Sequence, residues 1–153
     1  MPACRRLEKK VKHPNCRLVK AYSSIDSYQE EVDKCDLFIG QKLHSTVFAT
    51  MGRIPSIMLG YRPKCLDYMK SINMGKYHIR TDELTSKLLI SKFTELHSNH
   101  VKISKDLDKQ IMHYKVLQTK RAEEIKKAII YKNWENFWKL CLYVIDNHPE
   151  FIQ

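Results

Sequence analysis

The sequence predicts an α/β fold: a parallel sheet with helices on both faces, followed by a helical C-terminal tail. Three observations predict it. Between Cys16 and His97, short apolar runs alternate with segments of helical periodicity. The runs 37–40 and 56–59 lack apolar/polar alternation, as strands covered on both faces of a parallel sheet do. From Ser104 to Asp146 apolar residues recur at helical spacing with no strand pattern between them.

The elements follow in order. The basic segment 1–15 is expected as coil. Residues 17–22 read as a first strand. Ser23 and Ser24 then offer N-caps to a helix carrying Ile25, Tyr28 and Val32 on one face. Residues 37–40 form the second strand. A helix from Leu43 turns Val47 and Met51 inward and stops at Gly52 in the C′ position. Residues 56–59 are the third strand. Pro63 suits the first turn of a helix bearing Leu66, Met69 and Ile72 and ending near Gly75. Residues 77–80 are a fourth strand, and Asp82 caps a helix bearing Leu84, Leu88 and Phe93. In the tail, Leu107, Ile111, Tyr114, Leu117, Ile125 and Ile129 form one stripe. Trp134, Phe137, Trp138, Cys141, Leu142 and Ile145 form another, with a break near Lys132. The domain reading is a basic segment 1–15, a sheet domain 16–103 and a helical extension 104–153. A four-stranded open sheet has poorly covered edges, so a further domain is expected before Met1.

Composition bounds the function. The chain has 153 residues, of which 43% are hydrophobic, enough for one core. Mean hydropathy is −0.47 and no apolar run approaches a membrane span, so a soluble, cytoplasmic protein is expected. The five cysteines form no C-x-x-C pair, which suggests neither a disulfide framework nor a zinc site. No metal or organic cofactor is expected. The net charge of +10 is concentrated at the flanks; residues 1–20 hold seven Lys/Arg against one Glu. No aromatic residues interleave that basic run and no nucleic-acid motif follows it, so no specific nucleic acid is expected. Peripheral contact with an anionic membrane surface stays open.

In parallel sheets ligands sit beyond the carboxyl ends of the strands, where loops open into helices. Two loops stand there: Gly40-Gln-Lys-Leu-His44 and Gly60-Tyr-Arg-Pro-Lys64. Gly40 lets a ligand approach the backbone, and the following helix start offers free N–H groups and partial positive charge. Lys42, His44, Ser45 and Thr46 strengthen that preference for an anion, and Arg62 and Lys64 add cations at the next helix start. Two adjacent helix starts converging on one phosphate or carboxylate is the expected site. The plainer account makes His44 a cap or packing residue and Lys42 and Lys64 surface lysines. The other six histidines have no paired partners.

The block Cys35-Asp-Leu-Phe-Ile-Gly-Gln-Lys-Leu-His-Ser-Thr-Val-Phe-Ala, then Gly52-Arg-Ile-Pro-Ser-Ile-Met-Leu-Gly-Tyr-Arg-Pro-Lys64, resembles the hallmark of the polysaccharide pyruvyl transferase family. There an Asp-hydrophobic-Ile-Gly-x-Arg-Leu-His segment precedes a Gly-[Val/Ile]-Pro and a Tyr-x-x-Lys turn. The resemblance extends more loosely through Tyr68 and residues 77–82, covering about 19–96. It implies a Rossmann-like domain, the C-terminal, donor-binding half of a GT-B-like enzyme. It further implies transfer of a pyruvyl ketal group from phosphoenolpyruvate to a sugar or lipid-linked oligosaccharide, at the inner face of the membrane. On this resemblance His44 is the motif histidine and the candidate catalytic group. Leu43 is the motif leucine, whose backbone faces the donor, and Lys64 is the second-loop lysine. Lys42 stands where the family has arginine, keeping the charge but losing the bidentate fork. The acceptor half is absent from these 153 residues, so the chain by itself is expected to be inactive. Two other classes stay open. One is a GT-B-type glycosyltransferase using a nucleotide sugar, although no acidic residue is placed to hold a ribose. The other is a non-catalytic basic binding module.

Overall fold

A computed structural model describes residues 2–19, 22–130, 135, 138–139 and 141–143. The chain divides into two compact units, Met1–Ser104 and Lys105–Gln153.

The first unit opens with helix α1 (Pro2–Val11), where coil was expected. Pro2 sits at the helix start, where a missing N–H costs nothing, and Lys9 and Lys10 occupy the last turn, where the helix dipole favours cations. The strand expected over 17–22 is not formed by residues 17–19 or 22, while Lys20 and Ala21 lie outside the described residues. Side chains claim the polar groups of this segment instead. The Leu18 N–H donates to Glu8 Oε1 at 3.1 Å, and Arg17 pairs with Glu31.

Helix α2 (Ile25–Val32) begins at Ser24 through a reciprocal capping box with Ser27. Its inner face is Tyr28 and Val32, while Ile25 is exposed. Strand β1 (Phe38–Gly40), helix α3 (Leu43–Met51), strand β2 (Ser56–Gly60), helix α4 (Pro63–Ser71) and strand β3 (His78–Arg80) follow, the last preceded by a 3₁₀ turn at Gly75–Tyr77. The sheet has three strands in order β1-β2-β3, both pairs parallel.

Both crossover helices lie on the same face of this sheet. Register partners share a face, so Gly40, Met58, Gly60 and His78 point one way and Ile39, Ile57, Leu59 and Ile79 the other. The Thr46 hydroxyl of α3 donates to Met58 Sδ at 3.0 Å, and a Cβ on Gly60 would meet Cys65 of α4. An ordered run of right-handed crossovers has this outcome, because successive helices moving in one direction along a sheet stay on one side.

α3 buries Thr46, Ala49 and Thr50 rather than the expected Val47 and Met51. Small side chains let this helix approach the sheet closely, and both hydroxyls find partners, Thr50 Oγ1 donating to the Thr46 carbonyl at 2.9 Å. Ala49 joins Val32 and Ile54 in a core cluster against Tyr28 and Phe38. Gly52 ends α3 at φ −76°; the left-handed residue is Arg53, at φ 63°. The glycine is needed for space instead, since a Cβ there would run into Asp33 and lie 3.2 Å from Ile54 Cδ1. α4 stops at Ser71, earlier than Gly75, and Asn73 takes the positive φ of 59°.

The long helix α5 (Ser86–Ile130) starts after Thr85, whose hydroxyl accepts from the Leu88 N–H at 3.2 Å. Asp82 does not cap it, being held by Arg80 at 2.5 Å. Leu96 and Leu107 are the fully buried residues of α5, whereas Leu84, Phe93, Tyr114, Ile125 and Ile129 are all exposed by 38% or more. The expected stripe therefore is not a uniformly buried face. Trp134 and the break near Lys132 lie outside the described residues, and Trp138 is exposed. Among the described residues no helix is long and apolar enough to cross a membrane.

Candidate functional site

The loops leaving β1 and β2 share one plan. Each strand ends on a glycine, and the cation two residues later is the residue before the helix, extended and with no side-chain capping bond: Lys42 at φ −92°, Arg62 at φ −141°. Both side chains carry donors only and so cannot cap; Arg62 lies over the Tyr61 ring, 5.6 Å from its centroid. Neither has a carboxylate partner among the described residues. At the start of α3 the Lys42 carbonyl takes the Ser45 and Thr46 N–H groups and the Ser45 hydroxyl, the last at 2.6 Å. The N–H groups of Leu43 and His44 donate to no described backbone group. Two donors thus point outward from the positive end of the helix. Gly40 lies directly beneath: a Cβ there would be 2.6 Å from Phe38 Cε1 and 2.8 Å from Thr46 Oγ1, so only glycine fits.

Lys42, His44 and Ser45 line a cavity of about 560 Å³ together with Tyr22, Ser23, Ser24, Ile25, Tyr28 and Phe48. The loop after β2 opens elsewhere. Arg62 lines a separate cavity of about 450 Å³ with Gly60, Tyr61, His78, Arg80 and Asp82. The register explains the separation: Gly40 is level with Met58, whereas Gly60 stands two residues further along and level with Arg80. Two residues of strand are roughly 6–7 Å, enough to lift the second loop past the first. The expected site residues line two cavities. Lys42, His44 and Ser45 come together, Arg62 faces the neighbouring cavity, and Gly40, Leu43 and Lys64 line neither. Pattern reading missed Tyr22, Tyr28 and Phe48, whose rings reach the first cavity. Their signal was weak, since Tyr28 and Phe48 on helix faces read as core and Tyr22 read as the end of a strand.

In the second cavity His78 packs its ring onto Gly60, where any side chain would overlap it, and Nε2 is buried without a hydrogen-bond partner. Burial, the largest influence, pushes its pKa below the ordinary value; Glu83 opposes this and Arg80 adds to it. The folded chain therefore takes this proton less readily than the unfolded one. Stability is full above about pH 6.5 and falls as the pH drops from there towards the lowered folded value. The urea midpoint of the wild type is expected to decrease over that window, and His78→Gln to reduce the decrease. An identical pH dependence in the variant would exclude His78 as its source.

Among the described residues no cluster of three His, Cys, Asp or Glu side chains is placed to hold a metal. Comparison with known proteins agrees with the hallmark block. The family model described as polysaccharide pyruvyl transferase matches residues 3–63, which include Gly40, Lys42, Leu43, His44, Ser45 and Arg62 and stop one residue short of Lys64. The chain is also similar to the amylovoran biosynthesis protein AmsJ of Erwinia amylovora, 23% identical over 95 residues. Those residues are 62% of this chain and 23% of that relative, so the match spans under a quarter of the relative's length. No solved structure matches.

Proposed function

We propose that this chain is the donor-binding part of a polysaccharide pyruvyl transferase, and that its donor is phosphoenolpyruvate. The observation that carries the reading is the meeting of Lys42, His44 and Ser45 in one cavity, at the start of a helix whose Leu43 and His44 N–H groups donate to no described backbone group. They lie within the segment that matches the family. In this reading Lys42 and the two N–H groups hold the donor's carboxylate and phosphate and stabilise the departing phosphate. His44 hydrogen-bonds a phosphate oxygen and relays to it the proton released by the second sugar hydroxyl, ending in its starting protonation state. Two sugar hydroxyls add at C2 of the donor, C3 gains one of their protons, and the bond from C2 to the phosphate oxygen breaks. The products are the cyclic ketal and inorganic phosphate, which carries away the other proton. Arg62 and Lys64 raise the positive potential from the neighbouring helix start. The acceptor half belongs to the remainder of a GT-B-like enzyme. The donor is a cytoplasmic metabolite, and a lipid-linked acceptor places the reaction at the inner face of the membrane.

Calorimetric titration with phosphoenolpyruvate tests this. Lys42→Ala is expected to lose about 1–3 kcal/mol, the range for hydrogen bonds to charged groups, or roughly five- to 150-fold in Kd. Lys42→Arg is expected to preserve or tighten binding by restoring the fork, and His44→Ala to weaken it. Unchanged affinity in both alanine variants would remove this cavity from donor binding.

A further inference from the structure

The first cavity has two unlike halves, and the donor accounts for only one of them. Its formal cation, Lys42, and its imidazole, His44, both lie on the α3 side. The opposite wall is aromatic. Tyr22 meets Tyr28 edge to face, centroids 4.9 Å apart at 88°, and Tyr28 meets Phe48 likewise at 5.4 Å and 79°. Phosphoenolpyruvate is three carbons carrying two anionic groups and has no broad apolar face to offer this wall. Resting on the donor reading above, we infer that the wall is a platform for the acceptor's sugar ring, with the Tyr22 ring in contact with it.

Each part of the wall has the property that role needs. A pyranose has one face of C–H groups that packs on an aromatic ring, and hydroxyls around its rim that need polar neighbours. Tyr22 is 41% exposed, so ring surface is open to a ligand. Tyr28 and Phe48 stand behind it, and Tyr28 also packs against the Val32–Ala49–Ile54 core, which anchors the cluster. The capping box at Ser24 fixes the chain two residues after Tyr22. Ser23, exposed in the same cavity, supplies a hydroxyl to the rim, and its own contact to Ser27 is long at 3.4 Å. Burial raises the Tyr28 pKa, with Tyr22 and Cys35 adding to it, which keeps that phenol neutral. A nucleobase also stacks on tyrosine, but a nucleotide needs a group for its ribose, and among the described residues no Asp, Glu, Asn or Gln lines this cavity. An acceptor ring on Tyr22 shares its cavity with the cations that hold the donor, which is the juxtaposition a transfer to a sugar hydroxyl requires.

The test uses the full 153-residue chain and reads sugar and donor separately. Saturation-transfer NMR with a panel of methyl hexopyranosides is expected to show at least one of them contacting the protein by its C–H face. Tyr22→Ala should weaken that contact roughly three- to tenfold, the scale of one aromatic packing interaction, and Tyr22→Phe should keep it. Calorimetry should find phosphoenolpyruvate affinity unchanged in Tyr22→Ala and reduced in Lys42→Ala. Exposure of Tyr22 makes its truncation tolerable to the fold, and an unchanged amide spectrum outside the cavity checks this. Donor binding with no hexoside binding, or hexoside binding indifferent to Tyr22→Ala, overturns the platform and leaves the donor reading standing. Hexoside binding lost in Tyr22→Ala with no phosphoenolpyruvate binding supports the platform and overturns the donor reading. Uridine displacing the hexoside from the Tyr22 ring assigns the wall to a nucleobase and overturns the inference.

Discussion

Given phosphoenolpyruvate and a panel of candidate glycans, the purified 153-residue chain is expected to form no pyruvylated sugar above background. The proposed reaction joins two substrates, and its rate would depend on holding the donor's C2 and the acceptor hydroxyls in a near-attack geometry. Such positioning corresponds to effective molarities of about 10⁵ M or more, so an acceptor held on one side only forfeits most of the acceleration. A Tyr22 platform gives a sugar ring a face to rest on but does not fix its rotation or its depth. Supplying a matching N-terminal half in trans should restore turnover, read as ketal formation by mass spectrometry with release of phosphate. Steady transfer by the chain alone would show that the whole acceptor site lies within these residues.

The largest loss of stability is expected from Ile57→Ala, and its register partner provides the control. Ile39 and Ile57 are the same residue type, paired in the ladder between β1 and β2 and pointing to the same face. Ile57 is 0% exposed and Ile39 44% exposed. Truncating Ile57 removes buried methyl groups from the central strand and leaves a cavity, for which about 2–5 kcal/mol is typical. Ile39 sits on an edge strand and already meets solvent, so Ile39→Ala should cost about 1 kcal/mol or less. Urea titration of both variants, compared at unchanged m-value, measures the difference. Equal losses would mean that the face carrying Ile39 is covered in solution.

Much of the frame follows from local signals. Ser24, Pro63 and the unalternating runs at 37–40 and 56–59 mark helix starts and strands by their own chemistry, and each element forms there, although Ile39 in the first run is exposed rather than covered. The hallmark block is local too, which is why the family likeness was legible from the chain alone. Misreadings arose where a distant partner outweighed a local preference. Residues 17–19 have a strand's composition, yet Glu8 and Glu31 take their polar groups. α3 has larger apolar residues to bury, yet closeness to Met58 selects Thr46 and Ala49. Asp82 looks like a cap, yet Arg80 holds it and Thr85 does the capping. Where the candidate site residues open also depends on distant partners. Helix starts and their charges are properties of short segments, but the two-residue offset between Gly40 and Gly60 is a property of strand register. Only that register decided that Lys42 and Arg62 open into different cavities, and only packing brought Tyr22 and Tyr28 beside His44, because both depend on contacts between residues far apart in sequence.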